Sequence, residues 1–219
     1  MKIVHFYEIG AYKGRTLEIA REQLDALGDQ VKVRFFAFEC YPVYVKMLRK
    51  KFRNDERIAI IPKAIWSGKG KAPFYLSTVN KVGHSMYPGK TGVDKEHPIE
   101  VPTILFSDWY AKITEVPHIR IMNVNIEGAE VNLFKDLMVH NLVRDFALYL
   151  FSDDEPYPVD VFKVDELKPH AKRFIDTIRR LKLRTGKLHH VNVDGNFPIA
   201  EFVAHKLGLE PPVFKEDEE

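Results

Sequence analysis

Ile3-Val4-His5-Phe6-Tyr7-Glu8-Ile9-Gly10-Ala11-Tyr12-Lys13-Gly14 decides the fold class. The β-branched and aromatic run from Ile3 to Tyr7 passes into a glycine turn, which reads as a strand ending in a tight bend. From Gly14 the period changes. Leu17, Ala20, Leu24 and Leu27 share one helical face, and Gly28 stands where a helix C-cap belongs. A glycine after a first strand lets a ligand approach the backbone, and a second at the helix start permits close packing. Taken alone, this strand–turn–helix could equally be a tight turn with no ligand.

The alternation continues outward from that unit. Val31 to Phe38 reads as a strand closed by Glu39, and Pro42 opens a helix carrying Val43, Met47 and Leu48. Ile58 to Ile61 is a short strand, followed by Ala64-Ile65-Trp66 and the turn Ser67-Gly68-Lys69-Gly70. Residues 77–98 have no period and read as a long loop of the kind that carries function. Val101 to Leu105 resumes a strand, and Ser107 is placed to cap a helix over Asp108 to Ile113. Arg120 to Ile126 is a strand running into Glu127-Gly128-Ala129-Glu130, and Val131, Phe134 and Met138 mark the next helix. Phe146 to Phe151 is another strand. Pro169 starts a basic amphipathic helix with Phe174, Ile175, Ile178 and Leu181 inward. Leu188 to Val193 and Ile199 to Ala204 read as two closing strands joined by Asp194-Gly195-Asn196.

Strands alternating with helices predict an α/β fold with a mainly parallel sheet and helices on both faces. A closing pair joined by a short turn has to be antiparallel, because parallel neighbours need a long crossover. One domain is expected over residues 1–208, with a charged tail over 209–219.

Composition narrows the function classes. The 219 residues hold 33 Lys+Arg against 31 Asp+Glu, a net charge of +2, with 45% hydrophobic residues. A chain of this kind buries a core, and its overall charge exerts no general pull on nucleic acid or an anionic membrane. The single cysteine, Cys40, forbids an intramolecular disulfide and a Cys-based zinc site. No signal-peptide pattern, membrane-length apolar run or glycosylation sequon is present, and a cytoplasmic setting is expected.

The candidate site lies at the strand ends. The spacing Gly10 to Gly14 is neither the dinucleotide G-x-G-x-x-G nor the phosphate-binding G-x-x-x-x-G-K-[ST]. Acidic residues stand at both the first strand end, Glu8, and the second, Glu39. A carboxylate at the second strand end accepts hydrogen bonds from ribose hydroxyls, while one at the first suits a cationic ligand and repels a pyrophosphate. A ribose without phosphate on a cationic molecule points to S-adenosylmethionine.

These residues carry a resemblance to the FkbM family. Glu8-Ile9-Gly10-Ala11-Tyr12-Lys13-Gly14 resembles its D-I-G-A-N-x-G turn, and Phe38-Glu39-Cys40-Tyr41-Pro42 its F-E-P-x-P segment. Lys63-Ala64-Ile65-Trp66 with Gly68 resembles its N-x-A-[LV]-S…G segment, and Asn123 to Glu130 its K-I-D-V-E-G-A-E strand. The four blocks keep the family's order over residues 3 to about 135. Leu188 to Phe202 weakly resembles its last hairpin.

The resemblance implies a Rossmann-like class I methyltransferase with a seven-stranded sheet and a C-terminal antiparallel strand. It implies S-adenosylmethionine as donor and a hydroxyl of a sugar, glycan or similar small polyol as acceptor. Carried over, Glu8, Gly10, Ala11, Tyr12 and Gly14 would surround the methionine part of the donor. Glu39 would hold the ribose with Cys40 and Tyr41 beside it, and Lys63, Ala64 and Ile65 would border the adenine. Asn125, Glu127 and Glu130 would lie at the mouth. Three positions depart from the family: Glu8 replaces Asp, Tyr12 replaces Asn, and Asn125 replaces an Asp, removing a charge.

Methylating an alcohol calls for a general base. The candidates are Glu127, His84 in the long loop, Asp153, Asp154 and His190. Asn125 with Asp153 and Asp154 would offer Mg²⁺ hard oxygen ligands, yet Asp-Asp followed by Glu155-Pro156 reads as a solvated loop, so no metal is expected. Two other readings remain open. An RNA 2′-O-methyltransferase would need a Lys-Asp-Lys-Glu set whose Asp and Lys are absent from Asn123 to Glu127, so nucleic acid is not an expected partner. A non-catalytic, methyltransferase-like binding domain would fit the departures at Tyr12 and Asn125. A homo-oligomer is compatible with the sequence.

Overall fold

The structure, a computed structural model, describes residues 1–79, 83–151, 164–185, 188–190 and 198–212. Its centre is the sheet begun by β1 (Lys2–Ile9), β2 (Val31–Phe38) and β3 (Ile58–Ile61), and continued by β7 (Ile119–Val124), β8 (Leu148–Phe151) and β9 (Leu188–His190). The order is β3-β2-β1-β7-β8-β9, and every neighbouring pair is parallel. A second sheet, β4 (Ala64–Ile65), β5 (Gly70–Phe74) and β6 (Ile99–Ile104), has the order β4-β6-β5.

Strand alternation builds two separate cores. Tyr7, Ile9, Phe36, Phe38, Met122 and Phe151 face one side. They meet α3 (Phe106–Tyr110), α4 (Glu130–Val139) and α5 (Lys168–Thr185) through Phe106, Leu133, Phe134 and Phe174. Val4, Phe6, Phe35, Ala37, Ile121 and Leu150 face the other side. They meet α1 (Arg15–Asp25), α2 (Pro42–Lys51) and α6 (Ile199–Leu207) through Leu17, Leu24, Leu48 and Val203. A strand buried on both faces needs apolar residues at both parities, which explains the near-continuous apolar runs of β2 and β7.

Several expectations change. The central sheet has six strands among the described residues, not seven, and its last described strand, β9, runs parallel to β8. Ile199 to Ala204 is helix α6, not a strand: Ile199, Ala200, Val203 and Ala204 recur at helical spacing and bury one face. A short apolar run fits either period, and packing against α1 and the sheet selects the helix. The expected turn at Asp194-Gly195-Asn196, the tail beyond residue 212, and Asp153 and Asp154 lie outside the described residues.

The strand expected at Val101 to Leu105 exists as β6, but it pairs with β4 and β5 and not with the central sheet. Ser107 does not cap α3. It lies inside the helix, where its Oγ donates to Asp136 at 2.7 Å and its N–H donates at 2.8 Å. On α2 and α4 the apolar residues do not all turn inward: Val43, Met47 and Met138 are exposed, while Tyr44, Val45 and Leu137 are buried.

Candidate functional site

In the sheet order the chain runs outward from β1 through β2 to β3, then returns to the other side of β1 with β7. Parallel sheets leave a crevice at the carboxyl ends of the strands where the order reverses. Here that point lies between Gly10, after β1, and Asn125, after β7. Gly10 has φ +92°, and a Cβ there would stand 1.9 Å from the Asn125 carbonyl oxygen. Only glycine lets the two loops close to this distance.

A cleft opens at this point, with about 780 Å³ of space counted out to its mouth. Ile9, Phe38, Ile65, Phe74 and Met86 give it apolar walls, and Glu39, Lys63, His84, Asn125 and Glu127 bring polar groups to it. The second sheet forms one wall through Ala64, Ile65 and Phe74.

Glu39 is the best-fixed polar group. Its Oε2 accepts the Tyr12 N–H at 2.8 Å, and its Oε1 accepts the Tyr41 N–H at 2.7 Å. The side chain is 8% exposed, and burial pushes its pKa up to about 7 against those backbone bonds. Each carboxylate oxygen has a second lone pair for a ligand hydroxyl.

Two of the lining residues, Tyr12 at φ 48° and Glu127 at φ 56°, hold the left-handed conformation without being glycine. Such backbone is uncommon and tends to gather at binding sites. An Asn would enter that conformation easily at position 12. Tyr12 instead packs edge-on against Tyr44, with centroids 4.6 Å apart.

Gly83, His84 and Met86 of the long loop line the cleft. Lys90, 5% exposed, pairs its Nζ with the Glu127 carboxylate and donates to the Gly83 carbonyl at 2.9 Å. Ser85 Oγ donates to the Glu127 carbonyl at 2.8 Å. The His84 ring stacks on Tyr44 at 5.8 Å, and its Nδ1 accepts the Ser77 N–H at 2.8 Å. Burial, with Lys90 nearby, lowers the His84 pKa. Because Nδ1 accepts a backbone N–H, the lone pair stands on Nδ1 and the proton on Nε2.

Of the residues expected at the site, Gly10, Tyr12, Glu39, Cys40, Lys63, Ala64, Ile65, His84, Asn125 and Glu127 line the cleft. Burial raises the Cys40 thiol well above its ordinary pKa, so it stays protonated there. Four others are not among its walls. Glu8 faces the α1–α6 side of the sheet, 2% exposed, with Oε1 accepting from Asn123 Nδ2 at 2.7 Å. Ala11 is packed in that same core. Gly14 packs the start of α1 on α2, where a Cβ would stand 2.7 Å from Phe52. Tyr41 bonds Glu39 through its N–H and packs its ring on Tyr44 and Phe74.

Glu130 is also structural: its carboxylate accepts the N–H groups of Ile126 at 2.8 Å and Gly128 at 2.7 Å, closing the turn into α4. Sequence reasoning missed Lys90, whose partner is 37 residues away and unmarked by any motif. It also missed Tyr44, although one helical turn beyond Tyr41 was a readable signal.

Among the described residues, no three His, Cys, Asp or Glu side chains gather as a metal set would. No helix among them is long and apolar enough to cross a membrane. No protein-family model, curated protein or solved structure matches the chain. What the cleft binds has to be read from its own residues.

Proposed function

We propose that the cleft binds S-adenosylmethionine and that the protein is a class I O-methyltransferase acting on a hydroxyl of a sugar or similar small polyol. The observation that carries this reading is Glu39: a buried carboxylate at the end of β2, locked by two backbone N–H groups, on the wall of a cleft at the sheet's reversal point. The donor's chemistry fits these residues. A ribose diol matches the free lone pairs of Glu39, and an adenine ring matches the apolar slot of Phe38, Ile65 and Phe74. Among the described residues lining the cleft, Lys63 is joined by no second Lys or Arg of the kind a pyrophosphate cradle needs.

When bound, the donor supplies a sulfonium methyl group, so that the acceptor oxygen gains a carbon bond while the carbon–sulfur electron pair stays on sulfur. The chain's own part is positioning and proton removal. Glu127 is the base for the acceptor hydroxyl. His84 is excluded from that role by its tautomer, since the nitrogen holding its lone pair is occupied by Ser77. Its Nε2 faces the Tyr44 hydroxyl at 3.5 Å, so the ring is a positioning group on the cleft wall. Asn125 supplies an amide where a second carboxylate would have added charge.

Calorimetry with S-adenosylhomocysteine tests the first half. Binding by the parent protein, lost in Glu39→Ala, is expected; a natively folded protein that takes up none sinks the reading. Transfer of a labelled methyl group to a panel of sugars tests the second. There Glu127→Gln is expected to slow turnover by about a hundredfold, with affinity for S-adenosylhomocysteine unchanged.

A further inference from the structure

The outward face of α2 has a character that the chain's overall charge conceals. Between Cys40 and Asn54 the chain carries Lys46, Arg49, Lys50, Lys51 and Arg53 and no Asp or Glu. Tyr44, Val45 and Leu48 bury the inner face of the helix. Val43, Lys46, Met47 and Lys50 fall at i, i+3, i+4 and i+7 and form one exposed stripe. Val43 is 50% exposed and Met47 43%. Lys46 and Lys50 make no ion pair among the described residues, whereas Lys51 is held by Glu18 at 2.9 Å. Exposed Lys13 and Arg15 flank Gly14, which packs on Leu48 and Phe52; Arg15 is paired with Glu18 at 3.7 Å, so Lys13 is the cation that the start of α1 adds beside the helix.

We propose that this face docks on an anionic phospholipid surface, with Val43 and Met47 entering the headgroup boundary and Lys46 and Lys50 meeting lipid charges. The combination selects that partner. Aliphatic side chains between lysines match an interfacial helix, whose cations reach back to the headgroups while its apolar residues insert. A protein partner would favour aromatic and Arg anchors over Lys. Single-stranded nucleic acid would need exposed aromatic rings for stacking, and this stripe offers none. The helix also gives Tyr44 to the cleft wall, so a bilayer on its outer face would lie about 10 Å away, one helix diameter. The docking does not depend on what the cleft binds.

Co-sedimentation of the full chain with vesicles tests this. One set is phosphatidylcholine alone, and the other contains about a third phosphatidylserine. Binding to the mixed vesicles, at least about tenfold stronger than to neutral ones and weakened by salt, is expected. Lys46→Gln with Lys50→Gln should lower it about 25-fold, near fivefold per charge. Val43→Asn with Met47→Gln should also weaken it while leaving the salt dependence in place. Unchanged melting and S-adenosylhomocysteine affinity in both variants separate this result from failure of the cleft reading. Equal or absent binding to the two vesicle sets overturns the proposal, as does parental binding by either variant. So would tighter binding to polyuridylate than to mixed vesicles, or lipid-free self-association abolished by the Val43 and Met47 changes.

Discussion

Glu8, one residue from the end of β1, and Glu39, just past the end of β2, are both buried carboxyls on neighbouring parallel strands. Only Glu39 reaches the cleft. Burial raises both, Glu8 to about 8 and Glu39 to about 7, but the compensation differs. Glu39 is held by backbone N–H groups on both oxygens, which favours its charged form. Glu8 receives one amide hydrogen from Asn123, and its Oε2 has no hydrogen-bond partner, so it stays protonated at neutral pH. An acid at a strand end is thus a ligand group or a sealed core group according to which way its side chain turns.

The largest expected effect concerns the loop that follows Glu8. Gly10→Ala should lower stability by about 3 kcal/mol, because the new methyl would meet the Asn125 carbonyl in a left-handed backbone. Chemical denaturation measures it, and a near-neutral change would mean that the loops of β1 and β7 part easily. Next, Glu39→Ala should weaken S-adenosylhomocysteine binding by about a hundredfold, whereas Glu8→Gln should leave it nearly unchanged. Equal losses in calorimetry would erase the distinction between the two acids.

Per pH unit, smaller effects follow from the two titrations. The folded chain keeps the Glu8 proton up to about 8, while the unfolded chain loses it near 4.5. Through that window Glu8 lowers stability as pH rises, by at most about 1.4 kcal/mol per pH unit. Above about 8 the loss levels off. Denaturation of Glu8→Gln across the same pH range should show a shallower slope, with the part due to Glu39 remaining below about pH 7. Glu39 acts on binding in the opposite sense, since its charged form accepts the ribose hydroxyls. Affinity for S-adenosylhomocysteine should rise about tenfold between about pH 6 and about pH 8, centred near the Glu39 value of about 7. A flat profile in the parent protein would show that Glu39 is ionised throughout or does not touch the ligand.

Much of the strand-end chemistry was legible. β2 and β3 have the bounds their apolar runs predict, and ten expected residues share one cleft because parallel strands bring all their carboxyl ends to one edge. Glu8 was misread because a motif records residue type and spacing but not which face of the sheet a side chain takes. Ile199 to Ala204 was misread because six residues satisfy either a strand or a helix, and contacts with distant α1 choose between them. The charge of α2 was hidden by summation, since +2 over the whole chain averages away a segment with five cations and no acid between Cys40 and Asn54, four of them on the helix.

By itself the sequence determined the alternation of strands and helices, the need for glycine after β1 and the acid after β2. These follow from local sterics and from the period of side chains along a strand or helix. Only the tertiary structure decided that Lys90 meets Glu127, that Ser77 sets the tautomer of His84, and that Glu8 is sealed beside Asn123. Those contacts join groups from 7 to 115 residues apart. Their geometry exists only after the sheet has brought the strand ends together and burial has made each unpaired polar atom costly.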